Sequence, residues 1–151
     1  MTRGLRLASY NVEWFNALFD DQGRMLEDAG PSARYHTSRA DQLAALGIVF
    51  TALDADGIVI LEAPDQSAKR STVAALEGFA KAAGLRARRA LVGFASETEQ
   101  EIAFLYDPDR LTAVHDPQGE ASGRKGLIGA PRFDTTFRYD LDADGSFDTI
   151  R

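Results

Sequence analysis

The feature that most constrains this chain is a helix signal set between two strand signals within its first 62 residues. Ile58-Val59-Ile60-Leu61 is an unbroken run of β-branched and apolar residues, the pattern of a strand covered on both faces. Upstream, Ser38-Arg39-Ala40-Asp41 has the spacing of a capping box, and Leu43, Leu46, Phe50 and Leu53 recur at helical intervals, which predicts a helix. Earlier still, Leu5 to Tyr10 reads as a strand with Leu5 and Leu7 on one face. Parallel strands joined by a right-handed helical crossover end on the same edge of their sheet. That edge would carry Asn11 and Glu13 from the first strand and Glu62 from the second.

Between these elements, Asn16 to Tyr35 holds Asp20, Asp21, Gly23, Gly30 and Pro31 with little periodicity. It reads as a long loop with a short helical turn around Met25. After Ala63-Pro64-Asp65 a second helix is predicted from about Ser67 to Ala83, with Val73, Leu76, Phe79 and Ala83 on its apolar stripe and Gly84 as a stop. Beyond Gly84 the pieces become shorter and strand-like: Leu85 to Val92, Glu101 to Tyr106, Leu111 to His115, and Phe133 to Leu141. Asp107-Pro108-Asp109 reads as a hairpin turn, as does Asp142-Ala143-Asp144-Gly145 before Ser146 to Ile150. Gln118 to Pro131 is glycine-rich and reads as a loop. The expected fold is α+β, a mixed and largely antiparallel sheet with helices on one face.

The chain has 151 residues, a length that fits one domain. It has no cysteine, which removes disulfides, thiolate metal sites and cysteine nucleophiles. A metal would need oxygen or histidine ligands. The net charge of −6, from 17 Lys+Arg against 23 Asp+Glu, argues against coating nucleic acid by counterion release. It is compatible with a phosphorylated substrate if a cation offsets the local charge. Met1-Thr2-Arg3-Gly4 leads directly into the first strand, and no apolar run reaches membrane-spanning length. The expectation is a cytoplasmic protein without a membrane partner.

A carboxylate and an amide oxygen at one strand edge are hard ligands suited to magnesium, which keeps several waters and needs few protein carboxylates. Leu7-Ala8-Ser9-Tyr10-Asn11-Val12-Glu13-Trp14-Phe15 followed by Asp56-Gly57-Ile58-Val59-Ile60-Leu61-Glu62 resembles the opening of the endonuclease/exonuclease/phosphatase superfamily, the deoxyribonuclease-I-like fold. The resemblance implies that Asn11 stands near the scissile phosphate, that Glu62 is the metal ligand, and that Glu13 assists. It continues through Glu101 to Arg110, similar to the family's middle strand and turn, and implies a phosphate contact for Arg132. Leu61 departs from the pattern, since many members carry glutamine there.

The resemblance also implies magnesium or manganese as the cofactor, a phosphorylated small molecule or a nucleic acid as the substrate, and one half of a four-layer α/β/β/α sandwich. The family's later motifs, Gly-Asp-x-Asn, a central histidine and a C-terminal Asp-His pair, do not occur up to Arg151. The expectation is therefore that residues 1–151 form the N-terminal half of such a domain. That half would be inactive alone and would self-associate or pair with the C-terminal half.

Other signals have plainer readings. Trp14 and Phe15 are expected to pack in the core, and His36 and His115 have no partner at ligand spacing, which leaves them structural or exposed. Arg124 and Lys125 read as a solvated pair in a loop. Asp140, Asp142, Asp144 and Asp148 match several positions of a calcium loop, but position twelve is Arg151. They give the alternative reading, a calcium-binding interaction module, beside the plainer one of an aspartate-rich turn.

Overall fold

The computed structural model describes residues 4–94, 100–116, 135–139, 145–146 and 148–150, the segments 135–139 and 148–150 by backbone. Strand β1 (Leu7–Asn11) leads through a short 3-10 helix (Phe15–Leu18) and a long loop to helix α1 (Arg39–Leu53). Strand β2 (Gly57–Ala63), helix α2 (Thr72–Ala82), strands β3 (Arg89–Val92) and β4 (Glu101–Tyr106), and then β5 (Thr112–His115), β6 (Thr135–Tyr139) and β7 (Asp148–Ile150) follow. The first sheet has the order β1-β2-β4-β3, parallel between β1 and β2 and antiparallel elsewhere. A second sheet, β5-β6-β7, is antiparallel throughout. The fold is α+β with a mixed, largely antiparallel sheet. Among the described residues no helix is long and apolar enough to cross a membrane.

Both helices lie on one face of the first sheet because their apolar stripes meet the same strand positions. Leu43, Leu46 and Phe50 of α1 and Leu76 and Phe79 of α2 share a buried cluster with Ile58, Ile60, Ala103 and Leu105. Phe15, Phe50 and Phe79 meet edge to face or tilted at centroid separations of 5.2–6.4 Å, contacts that add about 0.5–1.5 kcal/mol per well-formed pair beyond area burial. On the other face, Phe104 is covered by Leu111 and Ala113 together with Leu5, Val59, Leu91 and Tyr106.

Helix α1 begins as the capping-box spacing predicts: the Ser38 hydroxyl oxygen accepts the Asp41 N–H at 3.1 Å and its O–H donates to the Asp41 carboxylate at 2.6 Å. Helix α2 starts five residues later than the sequence pattern suggests. Ser67 spends its hydroxyl on a turn, accepting from the N–H groups of Lys69 and Arg70, and Ser71 is the residue that caps the helix by accepting from the Ala74 N–H. The turn expected at Met25 is instead the 3-10 helix at Phe15–Leu18, held by burial of Phe15 and Leu18, while Met25 bridges to Phe19. Asp107-Pro108-Asp109 does not close a hairpin either. It carries the chain from the first sheet to the second, since β5 pairs with β6 and not with β4.

At the edge of the sheet opposite the candidate site, Arg86 gathers three acidic residues. Its guanidinium donates to Asp54, to fully buried Asp56 at 2.5 Å and to Asp107 at 2.9 Å. Asp56 also accepts the Arg6 N–H at 2.6 Å and lies 3.4 Å from Arg110. Burial by itself would raise the pKa of Asp56, but the Arg6 N–H, Arg86 and Arg110 together hold it below the ordinary carboxylate value of 3.8.

Candidate functional site

The parallel pairing of β1 and β2 sets Asn11 opposite Leu61, and the Val12 N–H continues the ladder to the Leu61 carbonyl at 3.0 Å. Glu62 then falls in a bulge: Leu61 pairs with Ile102 and Ala63 with Glu101, so Glu62 has no partner across the ladder. Its φ is +60°, the left-handed region that a side chain with a Cβ enters at a cost of about 1–3 kcal/mol and keeps only where its surroundings impose it. Bulges of this kind re-aim a side chain out of the ladder.

The re-aimed carboxylate meets two amides. Asn11 Nδ2 donates to Glu62 Oε1 at 3.4 Å and Gln100 Nε2 donates to Glu62 Oε2 at 3.2 Å. The sequence expectation that Asn11 and Glu62 converge is thus met in the geometry. Gln100 was not foreseen. It lies just before β4, and it supplies a donor to the glutamate where Leu61 has none. Nothing in a lone polar residue at that position signals this; only the β2–β4 pairing brings it across.

Glu13 sits on the same loop but turns elsewhere. Its carboxylate accepts from Arg34 Nη2 at 3.3 Å and from Trp14 Nε1 at 3.1 Å, and its backbone carbonyl accepts from Gln42 Nε2 at 3.5 Å. Trp14 is 49% exposed with φ +63°, against the expectation of core packing, whereas Phe15 is fully buried as expected. The left-handed turn at Trp14 reverses the chain so that only the second aromatic enters the core.

The loops behind β1 and β2 are stapled together. Asn16 Oδ1 accepts the Asp65 N–H at 3.2 Å and also the Arg70 guanidinium, which in turn donates to the carbonyls of Phe19 and Asp20. Buried Glu101 accepts the Gln66 N–H, and the Thr72 hydroxyl donates to the Pro64 carbonyl at 2.7 Å. These contacts fix the segment after Glu62 and so fix the direction of its carboxylate. Asn16, Arg70 and Glu101 had no motif to announce them.

His36 stacks edge-on against Tyr35 and His115 against Phe94. Arg132 and the calcium-loop residues Asp140, Asp142 and Asp144 lie outside the described residues, and Asp148 is placed by backbone as the start of β7.

Among the described residues no group of three or more His, Cys, Asp or Glu side chains is arranged to hold a metal ion. The Asn11–Glu62–Gln100 set offers one carboxylate, with an amide N–H donated to each of its oxygens. A hard cation that keeps most of its water and takes further oxygens from a phosphate fits that set, and a softer metal or a fully protein-caged ion does not. Comparisons with family models, curated proteins and solved structures find no match to this chain.

Proposed function

We propose that this chain carries the metal-holding edge of a magnesium-dependent phosphoesterase of the endonuclease/exonuclease/phosphatase type. The observation that supports this reading best is the meeting of Asn11 and Glu62 at adjacent parallel strand ends, with Glu62 held in a left-handed bulge. In this reading Glu62 would hold Mg²⁺ or Mn²⁺, with the Asn11 amide beside it facing the phosphate. Such an ion, once held there, would supply charge stabilisation at the phosphoryl oxygens and a lowered pKa for water.

The chain's own residues do the positioning. Gln100 fixes the rotamer of the Glu62 carboxylate, the Asn11 amide orients a phosphate oxygen, and the Arg70–Asn16 staple keeps the two strand ends at constant separation. Arg132 is assigned a phosphate contact. Glu13 keeps the strand-end loop closed through Arg34 and Trp14, a supporting role and not a metal-holding one.

The substrate in this proposal is a phosphorylated small molecule or a nucleic acid, met in the cytoplasm. The face of β1 turned away from the helices exposes Leu7, Ser9 and Asn11, and a second copy or the family's C-terminal half would pack there to complete the α/β/β/α layers.

The test is Mn²⁺ binding to the 151-residue chain followed by electron paramagnetic resonance. We expect saturable binding that is lost in Glu62→Gln and weakened in Asn11→Ala. Equal Mn²⁺ binding by wild type and Glu62→Gln would refute the assignment.

A further inference from the structure

Helix α1 is apolar on its outer side as well as its inner one. From Gln42 to Leu53 it carries no charged residue, although Ala44, Ala45, Thr51 and Ala52 are exposed and Ile48 is 72% exposed. A surface helix ordinarily turns charged or polar residues to water, and one that is apolar all round is covered. Beside this outer face runs a groove of about 780 Å³ between α1 and α2, lined by Met25, Leu43, Ala44, Gly47, Phe79 and Ala83. Gly47 keeps it open. A Cβ there would meet only that of Ala83, at an ordinary 3.8 Å, so packing within the chain does not require a glycine, which weakens a helix relative to alanine.

A projecting side chain beside a hollow on one and the same face is what a two-fold interface needs, because there residue i meets j and j meets i. With two copies of α1 crossing antiparallel about Gly47, the ridge Ala44-Ile48-Ala52 of each packs along the hollow at Gly47 and Thr51 of the other. The charges agree with that direction. The uncharged span is bounded by Asp41, seven residues before Ile48 and so on the same face, and by Arg6, whose guanidinium donates to the Leu53 carbonyl at 3.3 Å. Asp41 and Leu53 are each six residues from Gly47. An antiparallel mate therefore sets Asp41 of one copy across from Arg6 of the other and keeps like charges at opposite ends. For a chain of net charge −6, an uncharged face is where two copies meet with least repulsion.

We propose that α1 and the groove beside it form a two-fold interface with a second copy of this chain. At about 1.5 Å per residue α1 is about 22 Å long, and with α2 about 10 Å away the face measures about 22 by 20 Å, roughly 450 Å² per copy. That is below the roughly 800 Å² per partner of a standard interface and within the range of transient ones. The dimer is accordingly weak, with a Kd on the order of 10–100 µM. It uses the helix layer, whereas the exposed face of β1 is turned away from the helices, and it does not depend on the phosphoesterase reading.

The experiment is sedimentation velocity on the full chain from about 5 to about 500 µM, a range that brackets that constant. The expected result is a concentration-dependent shift from monomer to dimer. Ile48→Glu, at a position too exposed to serve the chain's own core, should stay monomeric throughout with an unchanged melting temperature. Gly47→Leu fills the hollow and should also stay monomeric while melting no lower than wild type. Asp41→Lys should weaken association about tenfold, and an unchanged Kd in that variant would overturn the antiparallel arrangement. Ser9→Arg, on the opposite side of the sheet, should dimerise as wild type does, which separates this interface from pairing through β1. A monomer at every concentration would overturn the inference and leave the groove to another occupant. Dimerisation that persists in Ile48→Glu and Gly47→Leu, or that is lost in Ser9→Arg, would overturn it as well.

Discussion

Asp56→Asn tests whether the Arg86 network is a principal anchor of the fold. Asp56 is fully buried and its carboxylate receives the Arg6 N–H at 2.6 Å and Arg86 at 2.5 Å, with Arg110 at 3.4 Å. Each hydrogen bond to a charged group is worth about 1.5–3 kcal/mol, and removing one partner of a buried pair costs about 3–5 kcal/mol. Asparagine keeps one oxygen for one of the two short bonds, and Arg86 keeps Asp54 and Asp107 and is 29% exposed. The expected loss at pH 7 is therefore near the bottom of that range, about 3 kcal/mol.

Urea unfolding should show this as a lower midpoint with an unchanged slope. The pH dependence provides a second check. The folded-state pKa of Asp56 is depressed below 3.8, so its contribution is fully present above the unfolded value and fades as pH falls through the folded one. The gap between wild type and Asp56→Asn should hold from neutral pH down to about 5 and close progressively below about 4. A gap under about 0.5 kcal/mol at pH 7, the size of an ordinary surface change, or one that stays constant into strong acid, would refute the reasoning.

Three further outcomes follow from local geometry. Gly57→Ala would place a Cβ 2.5 Å from Phe104 Cζ, an overpacking that should cost about 1–3 kcal/mol in thermal or urea unfolding. Ser38→Ala removes the acceptor of the Asp41 N–H and should destabilise by about 1 kcal/mol, visible as a lower melting temperature with helix content retained at room temperature. Glu62→Gly should raise stability by about 1 kcal/mol or more by relieving the left-handed glutamate, while Mn²⁺ binding disappears; a loss of stability would mean that the carboxylate's bonds to Asn11 and Gln100 outweigh the strain.

The parts of the fold that could be read from the sequence are those whose determinants are local. The β1-α1-β2 unit is set by the capping box at Ser38, the Leu43-Leu46-Phe50 stripe and the apolar run at 58–61, all within a few turns of one another. The start of α2 could not be read because Ser67 and Ser71 offer the same capping chemistry, and the choice between them falls to Gln66, whose side-chain oxygen accepts the Thr72 N–H, and Pro64. The role of Asp107 was hidden for a related reason: its turn residues suit a hairpin, but its carboxylate answers to Arg86, 21 residues back.

The site divides in the same way. Asn11 and Glu62 were visible as strand ends, because parallel crossover geometry alone brings them to one edge. What sets Glu62 apart from an ordinary strand end is its backbone, and a glutamate at φ +60° has no sequence signature. The bulge exists because Ala63 must regain its pairing with Glu101 while the following turn is pinned by Gln66, Thr72 and the Arg70–Asn16 staple. In the proposed reading, a carboxylate kept in a costly backbone conformation and braced by one amide from β1 and one from the residue before β4 has a task beyond stability. The Glu62→Gly comparison, with stability and Mn²⁺ binding measured on the same protein, decides between the two.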